Sequence, residues 1–237
     1  MFGDLYLGPW IIGIGVMLIG MIVSFRLKSK FKQYSETPLI SGMSGQEVAE
    51  KMLRDHGINN VQIICTPGQL TDHYNPSNRT VNLSKEVYYG RNAAATAVAA
   101  HEVGHAVQHA TAYSMLQFRS AMVPVQNVSG TIINIIVMAS IFGGAYLYET
   151  FPMQTVLYVI IGAYSMMTMF TLITLPVEFD ASKRALAWMT ASGVVTSSEK
   201  SKAQDALKWA AMTYVVAALG AVLTLLYYIS LLAGSRD

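Results

Sequence analysis

Apolar positions in this chain gather into four long runs, at 9–25, 123–147, 155–177 and 209–232, separated by polar stretches of unequal length. Each run is close to or longer than the roughly 17–25 residues that a helix needs to cross a bilayer. The third carries no charge before Glu178. This pattern predicts a mainly α-helical membrane protein with about four transmembrane helices. It divides the chain into an N-terminal transmembrane anchor at 1–30, a hydrophilic segment at 31–120, two transmembrane helices in 121–177, a shorter helical segment at 178–208 and a C-terminal transmembrane helix at 209–237.

Within the first hydrophilic segment the period changes. Residues 33–45 read as a polar linker with Pro38 and two glycines, after which Ser44-Gly45-Gln46-Glu47 has the spacing of a capping box. Val48, Met52 and Leu53 then give a short amphipathic helix that ends near His56-Gly57. Residues 61–65 read as a strand and 66–78 as a loop rich in Pro, Gly, Asp and Asn. Thr80-Val81-Asn82-Leu83 is a second short strand. A strand of this kind offers a free edge with which an extended polypeptide can pair. Asn92 is a suitable N-cap for an alanine-rich helix starting at Ala93, whose small side chains suit close helix packing.

Composition agrees with the membrane class, at 53% hydrophobic and 13% charged residues. The formal net charge of +2 gives no support for nucleic-acid binding, and there is no Gly-rich phosphate loop. The single cysteine, Cys65, cannot form an intrachain disulfide. Asp4 stands where a signal peptide would carry basic residues, whereas Arg26, Lys28, Lys30 and Lys32 follow the first run, so that run reads as an uncleaved anchor. Ten Lys/Arg fall in 26–122 and five in 178–208, leaving Arg236 opposite, and the turn around Tyr148-Glu149 has none. The positive-inside rule then puts both hydrophilic segments in the cytoplasm and both termini outside.

His101-Glu102-Val103-Gly104-His105 carries the chemistry. On a helix, imidazoles at i and i+4 lie nearly above one another and can share a metal at roughly 2.0–2.1 Å, with the neighbouring glutamate placed to take a proton from water. A membrane-embedded helix at 93–112 is the competing placement, but the polar flanks Arg91, Glu102, Gln108, His109 and Arg119 favour the cytoplasm or the membrane surface. A catalytic zinc takes three protein ligands, and the candidates for the third are His109, His73, His56, Glu178 and Asp180. His109 continues the helical series but lies about 80° round and about 12 Å along from His101, too far for one straight helix. Glu178 stands where the third run ends, and a carboxylate there is costly without a partner.

The motif, followed after two hydrophobic runs by Pro176-Val177-Glu178-Phe179-Asp180-Ala181-Ser182, resembles the bacterial membrane-bound neutral zinc metallopeptidases of the YugP type. The likeness includes the Asp72-His73-Tyr74-Asn75-Pro76 loop and the Arg79-Thr80-Val81-Asn82-Leu83-Ser84 strand. More distantly the layout is similar to the HtpX-type and prenyl-protein membrane proteases. The resemblance implies one Zn2+ per chain held by His101, His105 and Glu178, with Glu102 as general base, in a small α+β zincin-like cytoplasmic segment. Those distant relatives carry aspartate four positions after the glutamate ligand, where this chain has Ser182. Asp180 is two positions from Glu178 and should face elsewhere on a helix. Arg184, His109, Asp180 and Ser182 are the candidates for a second electrophile or for support of the ligands.

The function expected from these features is zinc-dependent endopeptidase action on membrane or membrane-proximal polypeptides at the cytoplasmic face of the inner (plasma) membrane. Besides substrate and lipid bilayer, a membrane-protein partner or a homo-oligomer is the partner class to consider. The alternative is a non-catalytic membrane scaffold or assembly factor with a structural zinc site. A metal transporter is disfavoured because the runs hold no acidic or histidine residue at mid-depth.

Overall fold

A computed structural model describes residues 2–234, with side-chain surroundings at 8–143 and 150–234. Arg236, and the side chains of Tyr148 and Glu149 in the expected external turn, lie outside the described residues. In chain order the elements are α1 (Phe2–Ser35), α2 (Gly45–Asp55), β1 (Gln62–Thr66), β2 (His73–Asn75), β3 (Thr80–Ser84), α3 (Lys85–Tyr88), α4 (Ala93–Ala110), α5 (Ser114–Thr150), α6 (Met153–Ala191) and α7 (Ser197–Gly234). Four helices are long and apolar enough to cross a membrane, over Gly8–Ser35, Ser114–Gly143, Met153–Ala191 and Ser197–Gly234. The chain is a mainly helical membrane protein with a small α+β portion.

The long helices overrun the apolar runs that predicted them. α6 passes through Pro176 and continues to Ala191, so Glu178, Asp180, Ser182 and Arg184 are carried on the same rod as the third run. α5 loses regular helical geometry at Gly143, where φ is −131° and ψ is 26°. α7 opens on a capping box of its own: Thr196 N donates to Glu199 Oε2 at 2.7 Å and Glu199 N to Thr196 Oγ1 at 3.3 Å.

The fold divides into two compact units. One consists of the described parts of Met1–Met21, Phe118–Thr174 and Tyr214–Asp237. Its interior is built from Val156, Leu157 and Ile160 of α6 and Tyr228 of α7, with Ile133 and Ile136 of α5 against them. Trp10, Ile135, Phe142 and Leu226 are exposed, which suits side chains in contact with lipid tails.

The other unit is Ile22–Gln117 with Leu175–Thr213. Its core joins Val48, Met52 and Leu53 of α2, Val81 and Leu83 of β3, and the alanines of α4 to Ala185, Trp188 and Met189 of α6. Both predicted caps form. Ser44 and Glu47 close a reciprocal box on α2, and Asn92 Oδ1 accepts from Ala95 N at 2.9 Å on α4, each contributing about 1 kcal/mol. Cross-element ties fix the helices: Trp188 Nε1 donates to Asp55 Oδ2 at 3.0 Å, and Tyr34 Oη donates to Asp205 Oδ2 at 2.6 Å.

Two expectations about the strands are corrected. The stretch 66–78 is not wholly a loop, because His73–Asn75 pairs antiparallel with β3 in the register Tyr74 opposite Val81. Three residues are too short for a two-residue alternation to register in sequence. More importantly, Thr80, Val81, Asn82 and Leu83 do not form a free edge. The sheet order is β1-β3-β2, with β1 parallel to β3, so both sides of β3 are already hydrogen-bonded and all its residues are buried. A strand buried on both faces is a centre, not an edge.

α4 meets α6 at Gly104. A Cβ built there would lie 2.6 Å from the Ala181 carbonyl oxygen, closer than any real contact, so the backbones touch only because position 104 has no side chain. Gly104→Ala is expected to force the two helices apart and cost about 1–3 kcal/mol. A lowered melting temperature of the detergent-purified protein, together with weaker zinc binding, would bear this out; unchanged values of both would contradict it.

Candidate metal centre

α4 presents His101 and His105 one turn apart, with ring centroids separated by 4.8 Å. The crossing at Gly104 and Ala181 brings Glu178 of α6 against both. Glu178 Oε2 lies 3.3 Å from His101 Nε2 and 3.6 Å from His105 Nε2. These three residues form a group able to hold a metal, with all donor atoms within 4.8 Å of one another. Tetrahedral coordination with bonds of roughly 2.0–2.1 Å needs donor separations of about 3.4 Å, so the two distances from Glu178 suit zinc.

The hydrogen bonds behind the imidazoles strengthen that fit. Gln108 Nε2 donates to Val177 O and to Asp180 Oδ2, each at 2.8 Å. With its amide nitrogen committed, Oε1 must face His105 Nδ1, 3.0 Å away, so that nitrogen carries the proton and Nε2 keeps a lone pair. Ser182 Oγ stands 3.1 Å from His101 Nδ1, where accepting from it would give His101 the same tautomer. Two lone pairs and a buried carboxylate then converge. Such a cluster repels itself unless a cation or protons stand between, which is the property of a metal site.

Ser182, four positions after Glu178, thus faces His101, and Asp180 reaches His105 through Gln108 rather than directly. Arg184 Nε donates to Asp180 Oδ2 at 2.6 Å and its guanidinium lies over the Tyr113 ring at 5.8 Å, so it belongs to this supporting chain. Gln108 was readable as i+3 from His105 on one helix, but nothing in the sequence says that α6 supplies two acceptors for its amide.

Glu102 is buried on the neighbouring face of α4, where its Oε2 accepts from Tyr74 N at 2.9 Å. Strand β2 therefore lies directly against it. The Tyr74 hydroxyl meets His109 Nδ1 at 2.7 Å, which turns His109 away from the ligand group. His73 and His56 point their Nδ1 atoms at the carbonyls of Thr71 and Met52, at 2.8 and 2.9 Å. Asp72 anchors the start of β2 by accepting from Ser84 N at 2.7 Å and Ser84 Oγ at 3.2 Å. Burial pushes the Asp72 carboxyl up, against the lowering effect of those bonds. Thr80, Val81, Asn82 and Leu83 serve as the central strand that holds β2 in place.

Over residues 9–233 the chain matches the family described as "Putative neutral zinc metallopeptidase". The chain belongs to this family. It is also 35% identical over 224 residues to the "Putative membrane protease YugP" of Bacillus subtilis (strain 168), covering 94% of this chain and 96% of that protein. No solved structure matches it. Membership in a zinc-peptidase family agrees with the donor set at the α4–α6 crossing.

Burial alone would pull the pKa of His105 down, but the hydrogen bond that its ring N–H donates to Glu178 and then the charge of Glu102 outweigh it and hold the imidazole above its ordinary value. Metal competes with that proton, since only neutral imidazole is a ligand. A raised pKa means protonation begins at a higher pH, so zinc affinity should start falling above the usual histidine range as pH drops. Titration calorimetry across pH checks the sign; affinity flat down to pH about 5 would contradict it. Ser182→Ala should weaken zinc binding about 10–100-fold without loss of membrane insertion, as removal of support for a ligand does.

Proposed function

We propose that this chain is a membrane-embedded zinc endopeptidase that hydrolyses peptide bonds of membrane or membrane-proximal polypeptides at the cytoplasmic face. The observation that carries the reading is the convergence of His101, His105 and Glu178 with Glu102 alongside, inside a family of zinc peptidases. One zinc held by those three residues would supply Lewis acidity, bringing the pKa of water toward about 7 and polarising a peptide carbonyl.

The remaining roles fall to the chain itself. Tyr74 N–H engages Glu102 Oε2, which orients the carboxylate and leaves Oε1 to accept the proton of the attacking water and return it to the departing amine. Gln108 and Ser182 keep the protons of His105 and His101 on Nδ1. β2 is an outer strand of the sheet, and with its Tyr74 N–H already given to Glu102 it positions that carboxylate rather than offering a free edge to substrate. Supporting the cytoplasmic orientation, ten and five of the sixteen Lys/Arg lie in the two hydrophilic segments.

Glu102→Gln keeps size and hydrogen bonding but removes basicity. The variant should retain zinc and melting temperature while turnover of a peptide substrate falls by roughly 100- to 10,000-fold, the range of general-base catalysis. Loss of zinc and fold together would favour the rival reading, a scaffold with a structural metal. Orientation is checked separately: in a Cys65→Ser background, a cysteine at position 149 should react with an impermeant reagent from outside and one at position 78 should not. Labelling at 78 from outside would invert the topology.

A further inference from the structure

We propose that the groove between α6 and α7, on the outer side of α6 from the metal centre, is a binding site for an anionic phospholipid. It is an open groove of about 750 Å³, within the roughly 300–1,000 Å³ of small-ligand sites. Its floor is apolar, from Phe179 and Leu186 of α6 and Leu207 and Ala211 of α7. Its walls carry Lys183, Lys200 and Lys208, and no carboxylate lines it.

Those three lysines have no direct partner. Among the described residues none makes an ion pair or a side-chain hydrogen bond, and Lys208 meets Asp205 only through longer-range attraction. The acidic side chains on the same two helices are committed elsewhere. Asp180 serves Gln108 and Arg184, Glu199 serves Thr196 and the backbone of Ile40, and Asp205 serves Lys30 and Tyr34. Glu178 faces the two imidazoles. Three cations thus line an apolar groove without a direct ion-pair partner among the described residues.

The sequence places this groove at the height of lipid headgroups. Phe179 comes two residues after the apolar run 155–177 ends, and Lys208 immediately precedes the run 209–232. A ligand that fits needs an anionic head for the lysines and a hydrocarbon tail for the floor, and a phospholipid such as phosphatidylglycerol has both in the order that the bilayer imposes. A zwitterionic headgroup brings its own cation and gains little there. Ser182, which hydrogen-bonds His101, is also in the wall of the groove, so a bound lipid would lie against a residue that orients the metal centre.

The test uses the full-length protein in detergent, mixed with equal amounts of phosphatidylglycerol and phosphatidylcholine, with retained lipids counted by native mass spectrometry. Wild type should favour phosphatidylglycerol by about tenfold or more, as several lysines near one headgroup imply. The triple variant Lys183→Gln, Lys200→Gln, Lys208→Gln should lose that preference, and arginine at the same positions should restore it. Ala211→Trp, which fills the floor and leaves the charges, should expel both lipids. Melting temperatures confirm that each variant folds. An unchanged preference in the glutamine variant would overturn the proposal. So would displacement of the lipid by inorganic phosphate alone, or a glutamine variant that keeps its lipid but no longer cleaves a membrane-anchored polypeptide, which would assign the groove to substrate. None of the lipid readouts depends on peptidase activity.

Discussion

The backbone contact between Gly104 of α4 and Ala181 of α6 is the constraint on which the site depends. Side chains can share a metal only over a few ångströms, and the two imidazoles of α4 meet a carboxylate because α6 comes close enough to bring Glu178 Oε2 to 3.3 and 3.6 Å. Any side chain at position 104 would strike the Ala181 carbonyl. The neighbouring alanines of α4, buried against α2 and β3, extend the same close packing away from the crossing.

That closeness has an electrostatic consequence. Glu178, His105 and Glu102 are all buried, and leaving one charge of such a set unpaired costs about 3–5 kcal/mol. The chain meets this with two different supports. His105 leans on an amide relay through Gln108 to Asp180 and Arg184, whereas His101 has only the Ser182 hydroxyl. The hydroxyl is a single contact, whereas the Gln108 amide is itself held by Val177 O and Asp180 Oδ2, so His105 is the more firmly oriented of the two imidazoles. The two halves of the donor set are therefore unequal in a way that the sequence motif, symmetric in its histidines, does not suggest.

α6 serves three purposes along its length. It carries Glu178, Asp180 and Ala181 toward α4, it brings Trp188, two turns on and on much the same face as Ala181, to Asp55 of α2, and it lines the groove with α7. Continuing a membrane-crossing helix for a further three to four turns beyond its apolar run makes this economical, because a rigid rod fixes all three contacts relative to one another. Residues on helices hold position better than residues on loops, which suits a centre that must keep donors near tetrahedral spacing.

Much of this was legible in order along the chain. The four apolar runs, the caps at Ser44 and Asn92, the helix that carries His101 and His105, and the strand at 80–84 follow from local period and local hydrogen-bonding chemistry, which neighbouring residues carry by themselves. Glu178 could be named as a candidate because a carboxylate at the end of an apolar run needs a partner. What the sequence could not decide was adjacency. Whether β3 is an edge or a centre depends on His73–Asn75, a strand of three residues whose pairing comes from β3 and not from its own pattern. Likewise Gln108, Ser182 and the Tyr74 N–H acquire their roles only where α4, α6 and β2 meet. Local pattern determines which elements form; the close approach of elements distant in sequence determines which groups share a proton or face a common centre, since hydrogen bonding and coordination act over about 3 Å and carry no trace in residue spacing.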